Sequence, residues 1–451
     1  MPTEKRGRRK APKRAEPARA AISGPLAGRR MLFVAPDDYP AFRVDLTELF
    51  SRHLVERGLA VDWSLHRTDE GDAGVVERGA ERFFLPEKKP GGIARKIRNR
   101  LSNGTVRWGL VRRAARGEYD LVQVRDYIFW GIPFLIAARV AGKPFVYWMS
   151  FPVLETRWLM ALKPYWPIGW SGRMANFLHA GSGKMVFYRF LRFADHVVVQ
   201  SKRMSEVLQD KGVPRELMTP VEMGVTTERY NPDAVTDAVD ARLKGRSVIG
   251  YMSSSFYGTP LHAMLGALAH VRREGHDAVL LCIGPMAQHE QDRLDEVLDG
   301  LGLPRDVVVK TGRLPLQEAL SYVKASHVCV SPIELIPQQE VATPTKLVEY
   351  LAMGRPVVAS LLYDHCEVVG GSGAGLIAEL TPEAFGEALS RILADRAWAE
   401  EMGARGPDWV KANRDYVRLA DRVEKLFGSL LEQPRRTARS HGAARQQPAT
   451  E

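Results

Sequence analysis

An alternation of short apolar runs with longer amphipathic stretches, met twice over, limits what this chain can fold into. MLFVA (31–35), VDWSL (61–65), LVQV (121–124), FVYW (145–148) and HVVVQ (196–200) read as strands, bounded by turn residues and separated by helical patterns. A second series follows with VIGYM (248–252), AVLLCIG (278–284), VVVKTG (307–312), HVCVSP (327–332), PVVAS (356–360) and GLIA (375–378). Near-continuous apolar strands alternating with helices build parallel sheets covered on both faces. The expectation is an α/β protein with two doubly wound sheets. Such sheets bind ligands beyond the carboxyl ends of their strands, so two that face each other enclose a cleft, and the chemistry belongs there.

Between the two series, YNPDAVTDAVDARLKG (230–245) lacks a strand and carries Asn231, Pro232 and several Asp. It divides a first domain over 31–229 from a second over 248–405, with a linker over 230–247. After Gly403, Val417, Ala420, Val423, Phe427 and Leu430 recur at three and four residues, which predicts a terminal amphipathic helix over 406–433.

The net charge of +11 belongs to the ends. Residues 1–30 carry +8 and residues 434–451 carry +3, leaving 50 basic and 50 acidic residues in the body. Both ends are rich in Ala, Pro and Arg and poor in large apolar residues, the composition of disordered tails. A neutral body without a recognition motif argues against a nucleic-acid partner. No apolar stretch follows the basic residues as in a secretory signal, and Glu4 and Glu16 run against a transit peptide. The longest apolar run, Ile128 to Ala138, has 11 residues, against the roughly 18 that span a bilayer. Cys282, Cys329 and Cys366 lie far apart without metal-ligand spacing, so buried reduced thiols and a cytoplasmic location are expected, with no metal site.

The segment VATPTKLVEYLAMGRPVVAS (341–360) carries the strongest chemical signal. Thr343 suits an N-cap, Pro344 the first helical position, and Gly354 the stop before the next strand. Lys346 then falls in the first turn, where the helix dipole disfavours a cation. An anionic ligand resolves this, because the amides of Thr345 and Lys346, the Thr345 hydroxyl and the ammonium together suit a diphosphate. Glu349, one turn on, suits a pair of sugar hydroxyls. The competing reading is an ordinary capped helix with a Lys/Glu surface pair.

EYLAMGRPVVAS after that helix start resembles the donor-site signature of retaining glycosyltransferases of family 4, which have the GT-B fold of two facing Rossmann-like domains. DHVVVQSKRMSEVLQDKGVPRELMTPVEMGVTTERYNP (195–232), with its Gly224-Val225 pair, is similar to the stretch that ends the family's first domain. VIGYMSSS (248–255), LCIGP (281–285), the Gly312 turn and SYVKASHVCVSP (321–332) follow in the family's order. The resemblance covers about Met31 to Leu431 and is stronger in the second half. It implies metal-independent transfer of a hexosyl group from a nucleoside diphosphate sugar with retained anomeric configuration, and no cofactor. By position it places Glu349 at the nucleotide ribose, Thr343, Thr345 and Lys346 at the diphosphate, and Gly312 and Arg313 at the base. The family often has a second glutamate eight positions before the first; here that position is Val341, with Glu340 and Glu334 as substitutes. SSSFYGTP (253–260) stands where many members carry a basic pair, which leaves phosphate contacts to Ser253, Ser254 and Ser255. MSFP (149–152) replaces the family histidine.

Acceptors of such enzymes occupy the first domain. From Lys88 to Arg116 there are ten Lys or Arg, with Ile93, Ile97 and Leu101 at spacing four, a pattern suited to anionic headgroups or to a solvated helix packed on its own sheet. Tyr147 to Trp170 holds Trp148, Trp158, Trp166 and Trp170 with Met149, Phe151, Met160 and Tyr165, a set suited to a membrane interface, an acceptor lid or plain loop packing. Together they favour a lipid-linked acceptor at the cytoplasmic face of the membrane. Asp126, after the strand at 121–124, is a candidate base or acceptor-orienting group, with a structural pair to Arg125 as the alternative. The leading expectation is a glycosyltransferase of polysaccharide or glycolipid assembly. The alternatives are a nucleotide-sugar epimerase on the same fold and a catalytically degenerate nucleotide-binding protein.

Overall fold

The short apolar runs become parallel strands, most of them buried on both faces, whereas the longest, Ile128 to Ala138, is helical. The computed structural model describes residues 23–162, 169–256 and 260–433. Tyr165, Trp166 and the tails at 1–22 and 434–451 lie outside the described residues. The first sheet holds β1 (Arg30–Tyr39), β2 (Ala60–Arg67), β3 (Gly74–Arg78), β4 (Glu81–Leu85), β5 (Leu121–Arg125), β6 (Phe145–Met149), β7 (His196–Val199) and β8 (Met218–Pro220). Their order is β3-β4-β2-β1-β5-β6-β7-β8. Only β3 runs antiparallel to its neighbour among the described strands. The second sheet holds β9 (Ser247–Met252), β10 (Ala278–Ile283), β11 (Val308–Lys310), β12 (Val328–Ser331), β13 (Val357–Ser360) and β14 (Gly375–Ala378), in the order β11-β10-β9-β12-β13-β14.

Three strands lie outside the expected apolar runs. β3 and β4 form a hairpin around Gly79, at φ +60°, and β3 is an exposed edge strand with one half-buried residue. β8 has three residues and ends at Pro220, which an edge strand tolerates.

Helices α1 (Ile93–Ala115), α2 (Ile128–Ala141), α3 (Val153–Leu162), α4 (Trp170–Leu191) and α5 (Lys202–Asp210) cover one face of the first sheet, through a core that includes Leu110, Phe134, Leu154, Phe187 and Met204. Around the second sheet lie α6 (Leu261–Arg273), α7 (Gln288–Gly300), α8 (Leu316–Lys324), α9 (Thr345–Ala352), α10 (Tyr363–Ser372), α11 (Pro382–Ala394), α12 (Arg396–Ala404) and α13 (Gly406–Asn413). The last helix, α14 (Tyr416–Glu432), returns to the first sheet. Its Leu419, Val423 and Phe427 pack with Leu46, Phe50 and Leu54 of the π-helical segment Asp45–Leu54 on the face that α1 to α5 leave open.

The single helix expected over 406–433 is therefore two. Between them the chain extends, Val225 N–H donates to Arg414 O at 2.9 Å and Tyr416 N–H to Val225 O at 3.1 Å. A Cβ at Gly224 would lie 2.2 Å from Arg414 O, so the Gly-Val pair lets the returning segment dock. Val417, expected on the apolar stripe, is exposed, and Tyr416 and Leu419 take the buried positions. At the other end the expected disordered tail stops short of residue 30: Leu26 is fully buried, Pro25 lies beside Gly428, and Arg30 opens β1. Cys282 and Cys329 are buried, whereas Cys366 is exposed, because α10 turns His365, Val368 and Val369 inward instead.

Candidate active site

In each sheet the strand order reverses once, between β1 and β5 and between β9 and β12, and the loops at those points hold the polar groups of the cleft. On the second domain Ser253 follows β9, Gly284 follows β10 and Gly312 follows β11. Gly284 has φ +129°, and a Cβ there would lie 1.9 Å from Ser253 O, so glycine lets the two loops touch. Gly284 also bridges to Gly312, at φ +73°.

Lys346 reaches across this switch point from α9. Its Nζ donates to the Ser253 hydroxyl at 3.1 Å and the Tyr251 hydroxyl at 3.2 Å, and stands 4.8 Å over the Tyr251 ring. It makes no ion pair among the described residues. The helix starts one residue later than expected: Pro344 is the N-cap, Thr345 is the first helical residue, and no side chain caps the amides. Thr343 does not cap, because its hydroxyl accepts from Met223 N–H of the first domain at 3.1 Å. Glu349 accepts from the Tyr230 hydroxyl at 2.9 Å. Burial holds its carboxyl above the usual range, against the pull of Tyr230 and Lys346. Ser254 and Arg313 are exposed at the rim.

The residues expected to replace the missing glutamate are elsewhere. Glu340 is held by Arg203 of α5, at 2.8 and 2.7 Å, and Glu334 is exposed. Val341 is buried in the first domain's core, and its carbonyl accepts from Ser201 Oγ at 2.7 Å. Gln338 was not foreseen. It is 5% exposed, lines the cleft, and its Oε1 has no partner among the described residues.

The first domain answers with a charged knot. Arg125, 1% exposed, pairs with Asp45 at 2.8 Å and lies 3.5 Å from Asp126 and 3.9 Å from Asp37. Asp126, at φ 51°, accepts from both the amide and the hydroxyl of Ser150. Asp126 is thus held by Ser150, with Arg125 beside it. Burial pushes Asp45 up, but Arg125 and Arg43 more than offset it and hold the carboxyl below the usual range. For Asp37 burial wins over the same two guanidinium groups and raises it. Sequence reasoning missed Asp37, Arg43 and Asp45, which lie at the end of β1, in the loop after it and at the start of the helical segment that follows. Arg43 and Ser150 face Gln338, Thr343 and Thr345 across a cavity of about 260 Å³.

Two Rossmann-like domains that meet at a cavity lined from both, with an uncapped helix start and a cation on the second, have the architecture of the GT-B type. Residues 246–395 match the family model described as Glycosyl transferases group 1, and residues 46–229 match the one described as Glycosyltransferase Family 4. The chain belongs to this glycosyltransferase family. Solved structures agree in fold. Sucrose-phosphate synthase from Thermosynechococcus elongatus has a TM-score of 0.64 at 19% identity, over 89% of this chain and 99% of that one. Anabaena HepE in complex with UDP has 0.62 at 15%, over 89% and 100%. WaaG, a glycosyltransferase involved in lipopolysaccharide biosynthesis, has 0.59 at 14%, over 88% and 99%. No curated protein matches the chain closely enough to serve as a relative.

Proposed function

We propose that the protein transfers a hexosyl group from a nucleoside diphosphate sugar, with retention, to a hydroxyl of a polysaccharide, glycolipid or other acceptor. The observation that carries this is Lys346, a cation in the first turn of an uncapped helix, held by two hydroxyls and no carboxylate. A diphosphate supplies the missing anion. Lys346, the Thr345 hydroxyl and the amides of the first turn hold it, with Ser253 and Ser254 on the facing loop. Glu349 takes the ribose hydroxyls, and Gly312 and Arg313 border the base. Thr343, already engaged by Met223, contributes the wall of the cavity. Charge develops on the departing diphosphate as the sugar leaves, and the lysine and amides stabilise it without a divalent ion. The acceptor enters from the side of Arg43 and Ser150.

HepE, solved with UDP, supports UDP as the first nucleotide to try. Thermal unfolding with UDP, GDP, ADP and TDP tests the site, since a ligand at 100 times its dissociation constant adds about 2.7 kcal/mol. A rise with one nucleotide, absent in Glu349→Ala and Lys346→Ala, is expected; no rise with any of them overturns the reading. One observation favours a second reading. Val341, buried where the family often has a sugar-binding glutamate, suits a protein that binds nucleotide without transfer. Release of nucleoside diphosphate from the sugar donor, dependent on added acceptor, separates the two.

A further inference from the structure

The reaction leaves the basic helix unexplained. α1 has 23 residues, about 34 Å, whereas β5, the strand it leads into, has five, about 17 Å. Of α1 only Arg107, Leu110, Val111 and Ala114, all in its second half, are buried. The first three turns overhang that buried half and are tied on one side to the preceding loop, where Asn99 bonds the Lys89 N–H and carbonyl and Ser102 Oγ accepts from Glu87 N–H at 2.7 Å. Their stripe of Ile93, Ile97 and Leu101 is 78%, 53% and 66% exposed, although the second half of the helix packs in the core. Around it stand Arg95, Lys96, Arg98 and Arg100. Arg98 pairs with Glu87 at 3.2 Å, while the other three make no ion pair among the described residues.

A second exposed stripe lies on the far side of α2, where α4 packs on α3 and Phe177 stacks on Trp158 at 5.0 Å. α1 packs on α2 and α2 on α4, and α4 also buries its later residues while its start shows Trp170, Met174 and Phe177, 76%, 41% and 42% exposed at helical spacing. α1 follows the carboxyl end of β4, and α3 and α4 follow that of β6. Both exposed stripes therefore sit at the end of the sheet that borders the cleft.

We infer that this pair of exposed stripes docks the first domain on an anionic lipid bilayer, with the apolar side chains entering the acyl boundary and the basic residues at the headgroups. The charge selects this occupant: residues 88–116 hold ten Lys or Arg and no acid, in a body whose 50 basic and 50 acidic residues balance only when these ten are counted. An apolar stripe flanked by cations is the pattern of a helix lying in the membrane interface. No helix among the described residues is long and apolar enough to cross a membrane, so this attachment is peripheral. It also brings the cleft mouth to the bilayer, where a lipid-linked acceptor is presented.

The test uses the full chain and its double variant Ile97→Glu/Leu101→Glu, sedimented with phosphatidylglycerol vesicles and with phosphatidylcholine vesicles. Both positions are exposed, so the variant should keep its thermal midpoint and its nucleotide response, which separates this inference from the proposed reaction. The wild type should bind the anionic vesicles at least tenfold better than the neutral ones and lose that binding in the variant. Hydrogen exchange of residues 93–103 should slow only with anionic vesicles. Unchanged binding by the variant would assign vesicle affinity to the basic ends and overturn the inference. A vesicle-free dimer that the variant dissolves would overturn it too, assigning the stripe to a second copy of the chain.

Discussion

Lys346 shows how one residue out of keeping with its surroundings points to a ligand. A lysine in a first helical turn meets the positive end of the dipole. Here it is held by the hydroxyls of Tyr251 and Ser253, so a ligand phosphate can take their place without breaking an ion pair. Lys346→Met should lower kcat about 100- to 1000-fold with the thermal midpoint unchanged, since it removes one preorganised charge from the departing diphosphate. Buried histidines make a second residue-scale prediction. His365 receives Ser331 Oγ at Nε2, 3.1 Å away, and faces Ser360 O through Nδ1 at 2.9 Å, the pattern of a neutral ring with its proton on Nδ1. Burial lowers its pKa to about 4, and that of His196 likewise to about 4. The unfolded chain takes up these protons near pH 6.5. The stability the two rings contribute is therefore complete above that pH and is lost as pH falls toward 4. Thermal midpoints between pH 7 and pH 4 should fall less steeply in His365→Gln than in the wild type. A parallel fall would refute the assignment.

At the scale of elements, the close approaches made possible by glycine hold the site together. Gly284 brings the β10 loop onto the β9 loop that carries Ser253, and its φ and the 1.9 Å approach both exclude a side chain. Gly284→Ala should displace Ser253 from Lys346, raising KM for the donor more than tenfold while the second sheet stays folded, as circular dichroism would show. The elements also divide by how legible they were. Strands buried on both faces announce themselves as apolar runs. The edge strands β3 and β8 do not, because an edge strand buries one face or none, and β4, next to the edge, is five residues long and buries every second residue. α9 was legible from Pro344 and Gly354, yet its cap was not, since Thr343 was drawn away by Met223, 120 residues earlier. The break between α13 and α14 was hidden for the same reason, because its cause is a contact with Val225.

The whole molecule is closed by groups that meet only in the folded state. Arg414, between α13 and α14, pairs with Asp364 of α10 at 2.5 Å and donates to Met223 O of the first domain at 3.2 Å, with both charged side chains almost fully buried. Asp364→Ala would strand a buried guanidinium and should lower unfolding free energy by about 3–5 kcal/mol in a denaturant titration. Asp364→Leu combined with Arg414→Met should recover most of that loss. A double variant as unstable as the single one would show that the pair itself, rather than the stranded charge, sustains the structure.

The sequence by itself determined the two sheets, the place of the donor-side helix and the ends where charge collects, because each rests on local periodicity or on a contiguous motif. Tertiary structure alone decided the rest. The knot of Asp37, Asp45, Arg125 and Asp126 joins the ends of two strands that are far apart in sequence and neighbours in the sheet. Gln338, rather than Glu340 or Glu334, reaches the cavity because Arg203 holds Glu340. The exposure of the α1 stripe follows from a long helix of which only the second half is buried. Pairing, burial and overhang are properties of distance in space, which no stretch of sequence contains.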